Sequence, residues 1–387
     1  MMKICRKPFD DIASSRERIF MKIAIMGIRG IPANYGGFET FAEELSTRLV
    51  ERGHEVTVYG RSNNIKYSGK TYKGVNLVVL PTIKHKYFDT VAHTGISVMH
   101  GLFKKYDVVL ICNSANSIFT IVPRLKGQRV AINVDGLEWQ RGKWNILGQW
   151  YYRFSEFIAT IFPNVVVTDS IFIKKYYIEK FKKDSVFIPY GAPTEKAQTT
   201  DILAKYNLTP GKYILYVSRL EPENNAHLVV KAYEKVKTDI PLVIVGDAPY
   251  NSEYIKKLKS TKDPRIKFTG YVFGQGYKEF QSNAFFYIQA TEVGGTHPAL
   301  LEAMGYGNCV LANYVPEHTE VLRESGLYFK TSNEADLREK MQYLLDNPNI
   351  VEDYRHKAVQ RIKEAYTWDR ITDSYENMFA KMSNGVK

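Results

Sequence analysis

The sequence predicts an α/β protein of two doubly wound, Rossmann-like domains that face each other across a cleft. Three observations carry this. The chain has 387 residues, enough for two domains of ordinary size. Short apolar runs alternate with amphipathic helical stretches, the pattern of parallel sheets covered by helices. That alternation starts twice, at MKIAIMG (21–27) and at KYILYVSRL (212–220), with a turn-rich break at PYGAP (189–193) and polar residues between. The expected divisions are an N-terminal extension at 1–20, a first domain at 21–195, a second at 205–365, and a terminal helix at 366–387. That helix is expected to return to the first domain, with Trp368 as its anchor.

In the first domain, the strand at 21–27 runs into a glycine loop and then a helix from about Thr40, with Phe41, Leu45, Leu49 and Val50 on one face. Gly53 stops it before the strand HEVTVYG. The loop glycines at 27, 30, 36 and 37 do not have the spacing of the dinucleotide fingerprint, and the loop lacks the Lys-Ser/Thr of a P-loop. VNLVVLP (75–81) and YDVVLIC (106–112) read as buried strands flanking an aromatic, His-containing helix. QRVAINVDGLEWQRGKW is a strand ending in a loop with Asp135, Glu138, Trp139, Arg141 and Trp144. Ligands bind at the C-terminal ends of strands in open α/β sheets, so this loop is a candidate site. In the next helix, Trp150, Tyr151, Phe154, Phe157 and Ile158 form an apolar stripe expected to pack in the core, with lipid contact as the weaker reading. NVVVTDS, a basic helix with Lys174 and Lys175, and SVFIPYGAP complete the domain.

The second domain repeats the alternation through AHLVVKAYEKVK, PLVIVGDAP, IKFTGYV, GYKEFQSNA and FFYIQAT. It reaches TEVGGTHPALLEAMGYG (291–307), the densest candidate. Gly294 and Gly295 permit close backbone approach. Thr296 is expected to cap the helix and Pro298 to open it, leaving free N–H groups and the positive end of the helix dipole for an anion. Glu302 lies one turn in, tilted back toward that end. NCVLANY, a helix from Glu317, GLYFK and terminal helices close the chain.

Bulk properties narrow the classes. Hydrophobic residues make up 44% and charged residues 24%, the balance of a globular chain. Three distant cysteines, Cys5, Cys112 and Cys309, with no zinc-type spacing exclude a disulfide framework and suit a reducing cytosol. No apolar run approaches the ~20 residues of a membrane-spanning helix. Residues 1–20 lack a signal peptide's apolar core and precede a further methionine, Met21. The net charge is +12, and residues 84–184 hold 15 Lys and Arg against 8 Asp and Glu. With no nucleic-acid recognition motif, this basic segment reads as a surface for anionic lipid or as an ordinary solvated basic face.

The motifs VSRLEPEN, VIVGDAP, FTGYV and GGTHPALLEAMGYGNCVLA, followed by Glu320-Val321, resemble the nucleotide-sugar domain of glycosyltransferase family 4, of GT-B fold. MGIRGIPANYGGFETFAEEL and NVDGLEWQRGKW are similar to a bacterial rhamnosyltransferase subgroup. The resemblance covers nearly all of 21–380. It implies retaining transfer from a dTDP- or UDP-linked sugar, L-rhamnose first, to a lipid-linked saccharide at the anionic inner face of the cytoplasmic membrane. It implies no metal and no further cofactor, in keeping with the lack of any D-x-D pair. Donor contacts are implied at Gly36, Gly37, Arg219, Asn224, Gly246, Tyr271, Val272, Gly294, Gly295, Thr296, His297 and Glu302. Acceptor-side positions are Tyr35, Phe38, Glu39, Glu138 and Trp139; catalytic groups are Asp135, Arg219 and Glu302. Two family positions depart from the pattern. Gly294 stands where a first carboxylate is expected, although Glu292 is close by. Asn224 stands where a lysine would complete a diphosphate clamp with Arg219, so a cation from elsewhere is expected to substitute. Asp135 stands where the family has a histidine near the reacting carbon. A sugar-nucleotide epimerase and a non-catalytic sugar-nucleotide binder are the rival readings. Nothing in the sequence specifies an oligomeric state.

Overall fold

A computed structural model describes residues 19–34, 36–83, 85, 88–142, 144–248 and 252–385. The apolar runs form two sheets. The first contains β1 (Lys22–Met26), β2 (Glu55–Arg61), β3 (Thr71–Tyr72), β4 (Val75–Leu80), β5 (Val108–Cys112), β6 (Arg129–Asn133), β7 (Val165–Thr168) and β8 (Val186–Phe187). Its order is β3-β4-β2-β1-β5-β6-β7-β8, parallel except for the short β3, which pairs antiparallel with β4. The second contains β9 (Ile214–Val217), β10 (Leu242–Val245), β11 (Ile266–Gly270), β12 (Phe286–Gln289), β13 (Val310–Asn313) and β14 (Leu327–Phe329). Its order is β11-β10-β9-β12-β13-β14, parallel throughout. Central strands such as β5, β10 and β12 are buried at every residue, which is why they read as unbroken apolar runs rather than alternating ones. β4 is only partly buried, because it lies next to the short edge strand β3.

The strand orders position the site. β1 lies between β2 and β5, and β9 between β10 and β12, so each sheet reverses its winding there. A crevice opens at the C-terminal ends of strands at such a switch point. The loops leaving β1 and β9, and the loop after β12, all start from these crevices.

The chain end crosses back to the first domain. The helix Pro348–Ala365 packs on Pro298–Gly305, and the helix Trp368–Ser383 lies on Gly37–Glu51. The Tyr375 ring packs at a tilt 5.2 Å from Phe41, and its hydroxyl accepts from Asn133 at 3.1 Å. Arg52 pairs with Asp373 at 2.7 Å and Glu376 at 2.6 Å. Trp368 is buried against Gly191, where an added Cβ would fall 2.5 Å from the indole ring.

Three expectations need correction or limits. The first-domain helix starts at Gly37, not Thr40, with Gly36 as its cap. The helix Ile146–Ala159 does not bury its aromatic stripe. Trp150, Phe154 and Phe157 are exposed, whereas Tyr152, Ser155, Glu156, Ile158 and Ala159 face inward. Small Ser155 and Ala159 allow close packing, and the inward Glu156 is satisfied by Tyr176 and Lys180. Residues 1–18 of the expected N-terminal extension, and Tyr35, lie outside the described residues.

Candidate functional site

The helix Pro298–Gly305 follows β12 through the loop 290–297, and the strand-end residue Arg219 follows β9. Both therefore sit at the switch point of the second sheet. The cap of this helix is His297, not Thr296, and it makes no side-chain capping bond. Thr296 is instead tied to the first domain. Its N–H donates to Asp169 Oδ2 at 2.9 Å and its hydroxyl to the Asp169 carbonyl oxygen at 2.6 Å. Across the cleft, a Cβ on Gly37 would fall 2.8 Å from the Pro298 ring. The N-termini of two helices, Gly37–Glu51 and Pro298–Gly305, thus meet, and both carry the positive end of a helix dipole.

The glycine pair has a different reason from the expected one. A Cβ on Gly136 would fall 2.5 Å from the Gly294 carbonyl carbon, and a Cβ on Gly295 would fall 2.4 Å from the Asp169 carboxylate. Close approach here is between the two domains. A Cβ on Gly294 would fall 2.6 Å from His297 Nε2, so the imidazole fills the space beside the position where a carboxylate side chain was expected.

The two histidines form a relay. His297 Nδ1 and His318 Nε2 are 3.0 Å apart, and His318 Nδ1 is 3.1 Å from the Asn313 carbonyl oxygen. A carbonyl only accepts, so His318 carries its proton on Nδ1 and His297 donates from Nδ1. His297 Nε2 is left as a buried acceptor with no hydrogen-bond partner. Burial, then His318, Arg141 and Arg219, hold His297 well below the usual imidazole value, and burial lowers His318 to about 4. Both rings are neutral at ordinary pH.

Charges converge beside this relay. Arg219 and Arg141, from opposite domains, each lie 3.9 Å from Glu221, on different carboxylate oxygens. Arg141 also pairs with Glu138 at 2.6 Å. Burial works against the Arg141 charge, but Glu138, Asp135, Glu221 and Glu223 hold it above the usual arginine range. Asp135 has a left-handed backbone (φ 59°) and receives the Tyr190 hydroxyl at 3.4 Å. Burial and Glu138 raise its pKa, opposed by Arg141 and Arg219. Burial and the nearby Asp135 push Asp169 well up. Glu302 is half-buried; loss of solvent around its carboxyl pushes it up to about 7, while the Tyr277 hydroxyl that donates to it opposes this.

Other expected residues have structural partners. Asn224 is buried and donates to the Arg219 carbonyl at 2.7 Å, shaping the loop that carries Arg219. Glu292 accepts from Asn225 and Ser332, both at 2.7 Å, so it does not fill the place of the absent carboxylate. Gly246 (φ 140°) is required because a Cβ would fall 1.7 Å from the Ser218 carbonyl oxygen. Val272 is partly buried against the core, and Tyr271 stacks at 5.6 Å on Phe273 at the rim. Glu39 is buried and accepts the Arg29 N–H at 2.9 Å, fixing the glycine loop. Phe38 packs edge-on to Tyr190 at 6.2 Å. Trp139 lies under the Arg153 guanidinium at 4.3 Å, among first-domain residues, not at the cleft. The sequence reading missed Asp169, His318 and Tyr277. Among the described residues no cluster of three His, Cys, Asp or Glu is placed to hold a metal.

Residues 20–193 match a family model described as a domain of unknown function (DUF1972), and residues 198–365 match the model for glycosyl transferases group 1. It is 26% identical over 231 residues to an uncharacterized glycosyltransferase of Methanocaldococcus jannaschii, covering 57% of this chain and 59% of that one. It is 26% identical over 159 residues to N-acetylgalactosamine-N,N'-diacetylbacillosaminyl-diphospho-undecaprenol 4-alpha-N-acetylgalactosaminyltransferase of Campylobacter jejuni, covering 39% and 42%. The chain therefore spans about half the length of the curated relatives it matches. The Anabaena protein HepE, solved with UDP and glucose, superposes with a TM-score of 0.76 at 14% identity, over 93% of this chain and all of that one. The fold is GT-B.

Proposed function

We propose that the protein transfers a sugar from a nucleotide donor to a lipid-linked saccharide, with retention at the anomeric carbon and without a metal. The observation that carries this is the convergence of Arg219 and Arg141, from opposite domains, beside His297, the cap of the helix Pro298–Gly305, where that helix N-terminus meets the N-terminus of Gly37–Glu51. The diphosphate lies at the Pro298 helix, with its charge met by Arg219 from one domain and Arg141 from the other. Arg141 thus supplies the cation that Asn224 cannot, and Glu221 holds the two guanidinium groups in register until the donor arrives. Glu302 takes a ribose hydroxyl, Tyr271 stacks on the base, and His297 Nε2 accepts a sugar hydroxyl in place of the carboxylate absent at Gly294.

In the reaction, the bond from the anomeric carbon to the β-phosphate oxygen breaks, with its electrons leaving on the diphosphate. The acceptor oxygen bonds to the carbon, and its proton passes to the departing phosphate on the same face. Stabilising that departing charge is the main demand, and fixed cations and helix dipoles in a closed cleft meet it. Asp135 positions the acceptor hydroxyl, which the paired domains bring to the donor. L-rhamnose from dTDP-rhamnose is the first donor to test, on the first-domain motifs. The lipid-linked acceptor is supported by the similarity to an enzyme named for a diphospho-undecaprenol acceptor.

The direct test of the donor site is calorimetric titration with UDP and dTDP. Binding of at least one, weakened in Arg219→Ala, supports the reading. Failure of both to bind the folded protein overturns it.

A further inference from the structure

The helix Ile146–Ala159 presents an apolar stripe to solvent, the reverse of an ordinary surface helix. Ile146, Leu147, Trp150, Phe154 and Phe157, with Ile161 just beyond the helix end, are each between 47% and 78% exposed. At ~100° per residue they fall in one sector about 100° wide. The opposite face is packed on the turn Ser114–Thr120, where the Tyr151 hydroxyl donates to the Ala115 carbonyl at 2.7 Å. The stripe is therefore left outside by the way the helix seats, not by poor packing.

The apolar surface continues past the helix. Leu125, 81% exposed, borders a hollow shared with Ile121, Arg124 and Phe162, and Arg124 holds the Phe162 carbonyl. Next to it, Lys126–Gln128 and Leu102–Tyr106 line a second hollow, where Phe103 is 87% exposed. Lys104, Lys105, Arg124, Lys126 and Arg129 are exposed around these apolar groups. Residues 114–129 contain no acidic side chain. Residues 144–163 contain only Glu156, which is buried. Asp107 is the acidic neighbour on this side, and it accepts the Lys22 N–H at 2.7 Å.

We infer that this face docks on an anionic lipid bilayer. Aromatic and aliphatic side chains enter the interface, and the basic side chains meet lipid phosphates. Charge selects this occupant. A second copy related by a two-fold axis would set the same basic rim against itself, which like-charge repulsion opposes. The loop Asp135–Trp144 leads straight into the docking helix, so the bilayer would lie beside the acceptor side of the cleft. The biological sense of the docking rests on the lipid-linked acceptor reading, but the docking itself is measured with no acceptor present.

The full chain is sedimented with vesicles of phosphatidylcholine alone or mixed with phosphatidylglycerol, at low and high salt. The expected result is binding to the anionic vesicles, weakened by salt, and reduced at least about tenfold in Trp150→Glu/Phe154→Glu. Because both side chains are exposed, the variant should keep the wild-type melting temperature and nucleotide affinity. Absence of wild-type binding to anionic vesicles at low salt overturns the inference, as does undiminished binding by the double variant. A wild-type dimer in sedimentation velocity that the variant dissociates, with no lipid binding, overturns it in favour of a second copy. If lipid binding fails but sugar transfer to a detergent-solubilised polyprenyl acceptor succeeds, only the docking falls.

Discussion

Replacing Glu302 with Gln should change how stability depends on pH, with a sign fixed by burial. The carboxyl is pushed from 4.5 to about 7, chiefly by loss of solvent around it. A raised value means that the folded state binds the proton more tightly than the unfolded chain. The stabilisation is present in full below the unfolded value and is lost as pH rises through about 7. The interval corresponds to about 3 kcal/mol at ~1.4 kcal/mol per pH unit. Gln resembles the protonated acid and carries no such dependence. Denaturant unfolding at a series of pH values should show the variant and wild type nearly equal at pH 5 and the variant gaining stability up to pH 8. Glu320, also raised to about 7 by burial, is present in both proteins and cancels in the difference. Nucleoside diphosphate affinity of the wild type should strengthen over the same range, as the ionised carboxylate becomes the better acceptor for a ribose hydroxyl. A stability difference that stays flat from pH 5 to 8 would refute the desolvated carboxyl.

Arg141→Gln should weaken UDP or dTDP binding by about ten- to a hundredfold, the worth of a charge-assisted contact, in calorimetry. The monophosphate should be affected less, and Arg141→Lys should recover part of the loss; equal losses for mono- and diphosphate would remove Arg141 from the clamp. His297→Ala should lower kcat/KM for the sugar donor about fivefold, a neutral hydrogen bond's worth, with free nucleoside diphosphate affinity unchanged. Gly136→Ala places a methyl 2.5 Å from the Gly294 and Gly295 backbone and should prevent close domain approach. Transfer should then drop about a hundredfold, as expected for reacting groups held ~1 Å apart from register, while nucleotide binding to the second domain persists.

The two sheets were legible because fully buried parallel strands leave unbroken apolar runs, as at β5 and β12. Arg219 and Glu302 stood out because one follows a strand and the other lies a turn into a helix. Asp169, 127 residues from Thr296, and the Arg141–Glu221 pair enter the site only when two domains close. No local pattern announces such contacts. Thr296 looked like a cap because Thr-His-Pro permits one, yet its hydroxyl is turned to the Asp169 carbonyl oxygen and its N–H to the Asp169 carboxylate, both in the other domain. Periodicity also identified the stripe on the helix Ile146–Ala159 but not its direction. The signal was on the other face, where Ser155 and Ala159 are small enough for close packing and Glu156 can reach Tyr176 and Lys180.

The central claim is tested most directly by mass spectrometry of purified protein with dTDP-rhamnose and a panel of UDP-sugars against synthetic polyprenyl-diphosphate saccharides. The account predicts a lipid product heavier by one sugar residue, with the donor's anomeric configuration retained and with the yield lost in Arg219→Ala and Glu302→Ala. Donor binding with no transfer to any lipid-linked acceptor, or conversion of the donor to an epimer with no acceptor present, would contradict it.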